Sequence, residues 1–314
     1  IAGSSGAQST GYTIDQSIRF NGDNDDAYMQ RTHGSGGNTD LSTISFWFKR
    51  SKLGVEVTMF GTGADVYNTF DIFFKTDDTL FIQDYVGSYT LYLGTNMKFR
   101  DPSAWYHLVF VYDSGNNVET ERCRLYINGK RVTSFGGASP SPKYPSKDAN
   151  STLGTNVTIG FGRYISYGAS NTNQYYHGYL AEMHYLNGYG YGPEYFGEFD
   201  DNGIWIPKEY TGSYGSTGWY IKGADSSALG TDSSGNGNNM TTVSGLASND
   251  KKADSPTNNH CTWNFLRPTG STTMSDGSLT VTTSGGTYKS ILGTIGIPPN
   301  SGIFYYEGVV NSHT

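Results

Sequence analysis

The chain has 314 residues, with 42 Gly, 10 Pro, 16% charged and 15% aromatic residues, where an average globular domain carries about 25% charged residues. Gly and Pro stay below the roughly 25–30% share of low-complexity chains, and 25 Tyr, 16 Phe and 5 Trp can fill a core, which excludes disorder for most of the sequence. With 21 basic against 28 acidic residues the net charge is −7 and no basic block occurs, so nucleic acid is not an expected partner.

From Ser17 to about Leu186 the apolar residues recur with period two, the mark of strands that bury one face. Ser17 to Phe20 opens the series. In Ile44 to Lys49, the residues Ile44, Phe46 and Phe48 share a face. Phe70 to Phe74, Thr79 to Gln83 and Tyr89 to Leu93 read as further strands. From Trp105 to Tyr112 the shared face is Tyr106, Leu108, Phe110 and Tyr112, and both Trp47 and Trp105 are expected in the core. Cys123, Leu125 and Ile127 share a face directly before Asn128-Gly129, a pair suited to the positive φ of a two-residue type I′ turn, so this strand forms a hairpin with Lys130 to Thr133. Val157 to Gly160 and Gly178 to Leu186 complete about ten strands, enough for two packed antiparallel sheets, an all-β jelly-roll sandwich.

Ser134 to Asn156 and Tyr164 to Tyr176 lack a period and read as long loops at the sandwich rim. After Gly188 short turn-forming phrases dominate, and Tyr195, Phe196, Trp205, Tyr210, Trp219 and Tyr220 are expected to anchor an ordered connector by packing. Alternation returns in Ser278 to Val281 and in Ile303 to Val310, the expected opening of a second β domain. The predicted organisation is an N-terminal segment at 1–14, a sandwich at 15–187, a connector at 188–268 and an incomplete β domain at 269–314. The chain starts at Ile1 and stops within a strand-like stretch, which reads as a piece of a longer polypeptide. No run approaches the ~18 apolar residues of a membrane span, so membrane insertion is not expected.

Cys123 and Cys261 cannot alone make a zinc site, which needs about four ligands. They read as two buried free thiols, with a long-range disulfide as the alternative. The six His residues show no metal-ligand spacing, and no nucleophile motif or phosphate loop occurs.

Five phrases, Ser17-Ile-Arg-Phe-Asn-Gly22, Thr43-Ile-Ser-Phe-Trp-Phe-Lys-Arg-Ser51, Trp105-Tyr-His-Leu-Val109, Leu125-Tyr-Ile-Asn-Gly129 and Gly178-Tyr-Leu-Ala-Glu-Met183, occur in that order. Together they resemble the laminin-G-like branch of the concanavalin A-like lectin/glucanase fold. Phrases such as Phe196-Gly-Glu-Phe-Asp200, Gly203-Ile-Trp-Ile-Pro-Lys208 and Asp232-Ser-Ser-Gly-Asn-Gly-Asn238 are similar to connectors in large structural proteins of tailed phages, where such a domain precedes a SPRY-like sandwich. Ile291 to Ile295 and Phe304 to Glu307 are similar to the start of that sandwich. The resemblance implies a virion structural protein at the virion surface, a tail fibre or other appendage subunit self-associating as a homo-oligomer, with host glycans as a partner. A purely architectural subunit and a secreted or cell-surface adhesion module are the alternatives.

The glucanases of this fold write their catalytic acids as Glu-x-Asp-x-(x)-Glu. Here Glu182 is followed by Met183, His184 and Tyr185, and Glu119 with Glu121 lacks the third acid, so the expectation is no enzyme. Sugar binding needs an aromatic face with amide or carboxylate partners. Tyr164, Tyr167, Asn171, Asn173, Gln174, Tyr175 and Tyr176 supply both in one loop, and Asp84 with Tyr85 in another. The same tyrosines would equally pack against a neighbouring subunit. Asp23, Asp25 and Asp26 form the densest acidic cluster, which reads as a solvated turn or as a Ca2+ site of hard oxygen ligands.

Overall fold

Strands with one apolar face need a second apolar face to cover them, and this chain supplies it by folding two antiparallel sheets over one shared layer. The computed structural model describes residues 11–22, 26–65, 67–136, 141–165, 174–266, 272–284, 289–297, 305 and 307–310. The strands begin with β1 (Ser17–Asn21), β2 (Tyr28–Thr32), β3 (Leu41–Arg50), β4 (Val57–Asp65), β5 (Asn68–Phe74) and β6 (Thr79–Val86). They continue with β7 (Tyr89–Lys98), β8 (Tyr106–Asp113), β9 (Cys123–Ile127), β10 (Lys130–Arg131), β11 (Thr158–Phe161) and β12 (His177–Asn187). Short strands follow: β13 (Gly197–Phe199), β14 (Trp205–Pro207), β15 (Trp219–Ile221), β16 (Thr241–Val243), β17 (Lys251–Lys252), β18 (Thr272–Ser275) and β19 (Thr280–Thr283).

The first sheet runs β10, β9, β8, β3, β12, β1, β17, with β15 attached to β12; the second runs β16, β2, β11, β4, β5, β6, β7. Ile44, Phe46 and Phe48 of β3 and Leu108, Phe110 and Tyr112 of β8 meet Phe60, Phe70, Ile72 and Phe74 of the second sheet in one core. The rings interlock across the layer: Phe46 with Phe161 at 5.6 Å, Phe70 with Phe110 at 5.6 Å, and Phe48 with Phe74 at 5.6 Å between centroids. Asn128 and Gly129 turn the β9–β10 hairpin at φ 48° and 74°, the positive values that the pair was read to accept.

Several expectations change. Strands β2 and β4 escape the period-two reading because Gln30 and Arg31 break the apolar pattern of one and Gly61 and Gly63 leave gaps in the other. Trp47 is buried, but it stands on the opposite face of β3 from Phe46 and Phe48, and Trp105 is only half-buried beside it. Cys123 lies in the core while Cys261 is exposed, so the chain carries one buried and one accessible free thiol rather than two buried ones or a disulfide. In the segment after Gly188, Phe196, Tyr210, Trp219 and Tyr220 are buried as anchors should be, whereas Tyr195 is exposed. That segment is also more than a connector, since β15 and β17 extend the first sheet and β16 the second. The strand expected at Ser278 to Val281 begins two residues later and pairs with β18, and of Ile303 to Val310 the described residues 305 and 307–310 lie outside any strand.

Candidate functional site

The outer face of the second sheet carries a polar row that the pairing register defines. Thr241 of β16, Gln30 of β2, Gly160 of β11, Gly61 of β4, Asp71 of β5, Gln83 of β6 and Tyr92 of β7 are successive partners across six ladders. Their neighbours along each strand, among them Met29, Phe161, Phe60, Ile72 and Ile82, fill the core, so this row points away from it. Gly61 and Gly160 form a trough in the middle. A Cβ on Gly160 would lie 2.8 Å from Ile165 Cδ1, and one on Gly61 would lie 3.3 Å from the Arg163 carbonyl and 3.0 Å from Asp71 Oδ1. The missing side chains therefore let the 163–165 segment cross the sheet directly beside Asp71.

Asp71 is 1% exposed. Its Oδ2 accepts from Gln83 Nε2 at 2.9 Å, while Oδ1 has no hydrogen-bond partner among the described residues. Burial penalises the ionised form and raises the carboxyl to about 7 against a bond from Gln83 that lowers it. Arg163 lays its guanidinium over the Tyr28 ring at 3.9 Å and approaches Gln30 Oε1 at 3.5 Å. On the far side of Gln83, Tyr85 meets Tyr89 edge-on at 5.1 Å, and Tyr89 meets Tyr92 at 4.5 Å. Amides, a guanidinium and tyrosine rings thus share one outer sheet face.

Of the loop residues expected to bind sugar, Tyr167, Asn171 and Asn173 lie outside the described residues. Tyr164 is half-buried, and Gln174 bonds Glu56 through Nε2 at 2.7 Å near the end of β4. Tyr175 and Tyr176 turn inward: Tyr175 is 8% exposed, and Tyr176 is fully buried with its hydroxyl donating to the Lys49 carbonyl at 2.9 Å. Neither ring offers a face to solvent. Asp84 is corrected from sugar ligand to internal latch. Its Oδ1 accepts from Thr152 Oγ1 at 2.8 Å, and its Oδ2 from Ser151 Oγ at 2.6 Å and Thr152 N at 3.1 Å, with burial raising it to about 6. Tyr85 remains half-buried on the outer face. Asp23 and Asp25 lie outside the described residues, Asp26 is exposed at φ 49°, and among the described residues no group of three His, Cys, Asp or Glu side chains is placed to hold a metal.

The acids considered for hydrolysis have other engagements. Glu121 pairs with Arg131 at 3.1 Å. Glu182 occupies a bulge between Ala181 and His184 at φ 49°. Its Oε2 accepts from Tyr220 at 2.6 Å and Tyr12 at 2.9 Å, and burial raises its pKa. Sequence reading passed over Asp71, Gln83 and Gln30. The signal for the first was present: a lone acid between Phe70 and Ile72 in an otherwise apolar strand.

The chain belongs to the concanavalin A-like lectin/glucanases superfamily, whose family model matches residues 21–188. Its fold is similar to that of a putative carbohydrate binding protein from Bacteroides ovatus, at 15% identity and TM-score 0.46, covering 74% of this chain and 58% of that one. It is also similar to the heptameric SAP-like pentraxin from Limulus polyphemus, at 15% identity and TM-score 0.40, covering 55% and 76%. A third similar structure is domain 4 of the arabinanase AbnA from Geobacillus stearothermophilus in complex with arabinotriose, at 18% identity and TM-score 0.37, covering 59% and 79%. No curated protein sequence matches the chain.

Proposed function

We propose that the chain is a non-hydrolytic glycan-binding subunit of an exposed, homo-oligomeric appendage on a tailed-phage virion. The observation that carries the binding part is the polar row around Asp71, in which Gln30 and Gln83 stay partly exposed. Buried Asp71 holds Gln83 Nε2 and so turns the remaining Gln83 oxygen toward sugar hydroxyls, with Arg163 and Gln30 as further partners and Tyr85 and Tyr89 as apolar surface for a pyranose. The virion part rests on the phrases after Phe196 that resemble phage connectors. Weak single sites are sufficient in a fibre, because linked copies raise avidity by about 10²–10⁴ without new contacts.

A glycan array probed with the full chain tests the binding part. Binding to a defined glycan set is expected, with Gln83→Ala and Tyr85→Ala reducing it about tenfold, a loss of about 1.4 kcal/mol. A blank array, with and without added calcium, overturns that part and leaves the purely architectural subunit. Unshortened β-glucan oligomers after incubation are expected; shortened ones would make the protein a hydrolase. Immunogold labelling of phage particles with antibody to the chain is expected to decorate an appendage, and unlabelled particles would remove the virion assignment.

A further inference from the structure

The first sheet has a concavity on its own outer face that the Asp71 row does not reach. It exists because Trp47 points outward from β3. His107 stacks on Trp47 at 4.6 Å and 18°, and Trp205 of β14 stacks on His107 at 6.0 Å and 19°. Trp205 Nε1 donates to His107 Nδ1 at 3.0 Å, which leaves Nε2–H to donate to Ser45 Oγ at 2.9 Å and fixes the neutral tautomer. The third layer fits only because Gly129 has no side chain; a Cβ there would strike the Trp205 ring. In this way the β13–β14 hairpin is clamped beside the β9–β10 hairpin, and the gap between them is a groove of about 660 Å³.

The chemistry of the lining is one-sided. Of the three tryptophans that line the groove, Trp205 and Trp105 already use their indole N–H groups, on His107 and on Asp254 Oδ1 at 3.0 Å, so those two offer apolar ring surface. Phe199 at 46% exposure, Ile204 at 49% and Met97 at 42% continue that surface to the rim. The charged residues that line the groove are Lys130 and Arg131, with no carboxylate among them, in a chain of net charge −7. Arg131 is committed to Glu121 at 3.1 Å. Lys130 has no carboxylate partner among the described residues, and its Nζ stands 6.0 Å from the Phe199 ring centroid. An apolar aromatic wall with one unpaired ammonium beside it suits a ligand that has an apolar ring face and a carboxylate at the ring edge.

We infer that this groove is a second saccharide site, specific for uronic acid residues, with the pyranose against Phe199 and Trp105 and the sugar carboxylate paired with Lys130. A neutral sugar lacks the ion pair, and an aliphatic carboxylate lacks the ring face. The groove lies on the opposite sheet from Asp71, so the two sites fail or stand separately.

The test titrates the full chain with trigalacturonate and, as the neutral control, maltotriose, read by tryptophan fluorescence and by calorimetry. Saturable binding of trigalacturonate is expected, at least about tenfold tighter than maltotriose and weakening as salt rises. Lys130→Gln and Phe199→Ala, both at exposed positions, are each expected to weaken it about tenfold with an unchanged thermal midpoint. The response should persist in Gln83→Ala, which disables only the other sheet face. Absence of saturable binding, equal response to maltotriose, or full affinity in Lys130→Gln would overturn the inference. Binding of a hydrophobic dye without binding of trigalacturonate would overturn it too, marking the groove as apolar surface alone.

Discussion

Three of the buried carboxyls in the described part of this sandwich titrate high and three of its buried imidazoles titrate low, so their titrations oppose one another. Burial raises Asp71 to about 7 and Asp84 to about 6 and raises Glu182 as well, so each is neutral in the folded state over a range where it is ionised in the unfolded one. The stability they contribute is present below the unfolded pKa and is lost as pH rises to the folded value. Burial lowers His107 to about 3 and His33 to about 4 and lowers His184, so their contribution is present above the unfolded value and is lost as pH falls below it. Between about pH 5 and pH 6, Asp71 is ionised in the unfolded chain and neutral in the folded one and so lowers stability as pH rises, while His107 and His33 raise it. Asp71→Asn removes one carboxyl from the balance. Its stability relative to the parent protein should then rise with pH over that interval by up to about 1.4 kcal/mol per pH unit, read from urea midpoints of both proteins at several pH values. A profile parallel to that of the parent protein would contradict the opposed-titration account.

The segment after Gly188 illustrates how a stretch without clear periodicity becomes part of a sheet. Strand β15 pairs with β12 and places Trp219, fully buried, against Phe60, Phe161 and Tyr185 at 6.4, 5.5 and 5.6 Å. Farther along, Lys49 Nζ donates to Asp254 Oδ2, Asn259 Oδ1 and the His260 carbonyl, each at 2.8 Å, so all three of its protons are used. Arg19 bonds Asp250 at 2.8 Å beside β17 in the same manner. Lys49→Met leaves Asp254 buried without its cation and is expected to cost about 3–5 kcal/mol. Pairing it with Asp254→Leu should recover much of that loss, because the pair must be desolvated before it gains anything. Urea unfolding of the two single variants and the double variant checks this; additive losses would show that the charges do not interact. A chain truncated at Gly188 would uncover the Trp219 slot and lose strands from both sheets, and is expected to bind hydrophobic dye and melt without cooperativity. A cooperative transition at the parent temperature would mean the sandwich stands without its later strands.

Across the molecule, the two outer faces have different fates. Around His184 the outer face of the first sheet is covered by Phe196, Tyr210, Tyr214 and Tyr220, with His184 stacked on Tyr220 at 4.1 Å and on Tyr214 at 5.9 Å. The outer face of the second leaves its Gln30, Arg163, Gln83 and Tyr85 partly exposed. Much of the tyrosine excess is therefore spent on internal packing, and the outer face of the second sheet mixes polar side chains with the Tyr85, Tyr89 and Tyr92 rings.

The amino-acid sequence by itself determined the all-β class, the face shared by Ile44, Phe46 and Phe48, and the Asn128-Gly129 hairpin, because alternation and turn chemistry act between residues a few positions apart. Only the tertiary structure decided that Tyr176 is interior, that Asp71 lies beside Arg163, and that Lys49 needs Asp254. Period two states which residues share a face, yet it is silent on which strand lies alongside and on what covers the far side. Those outcomes depend on register across ladders and on ion pairs between distant segments, where burial makes an unmatched charge or hydroxyl too costly to leave alone.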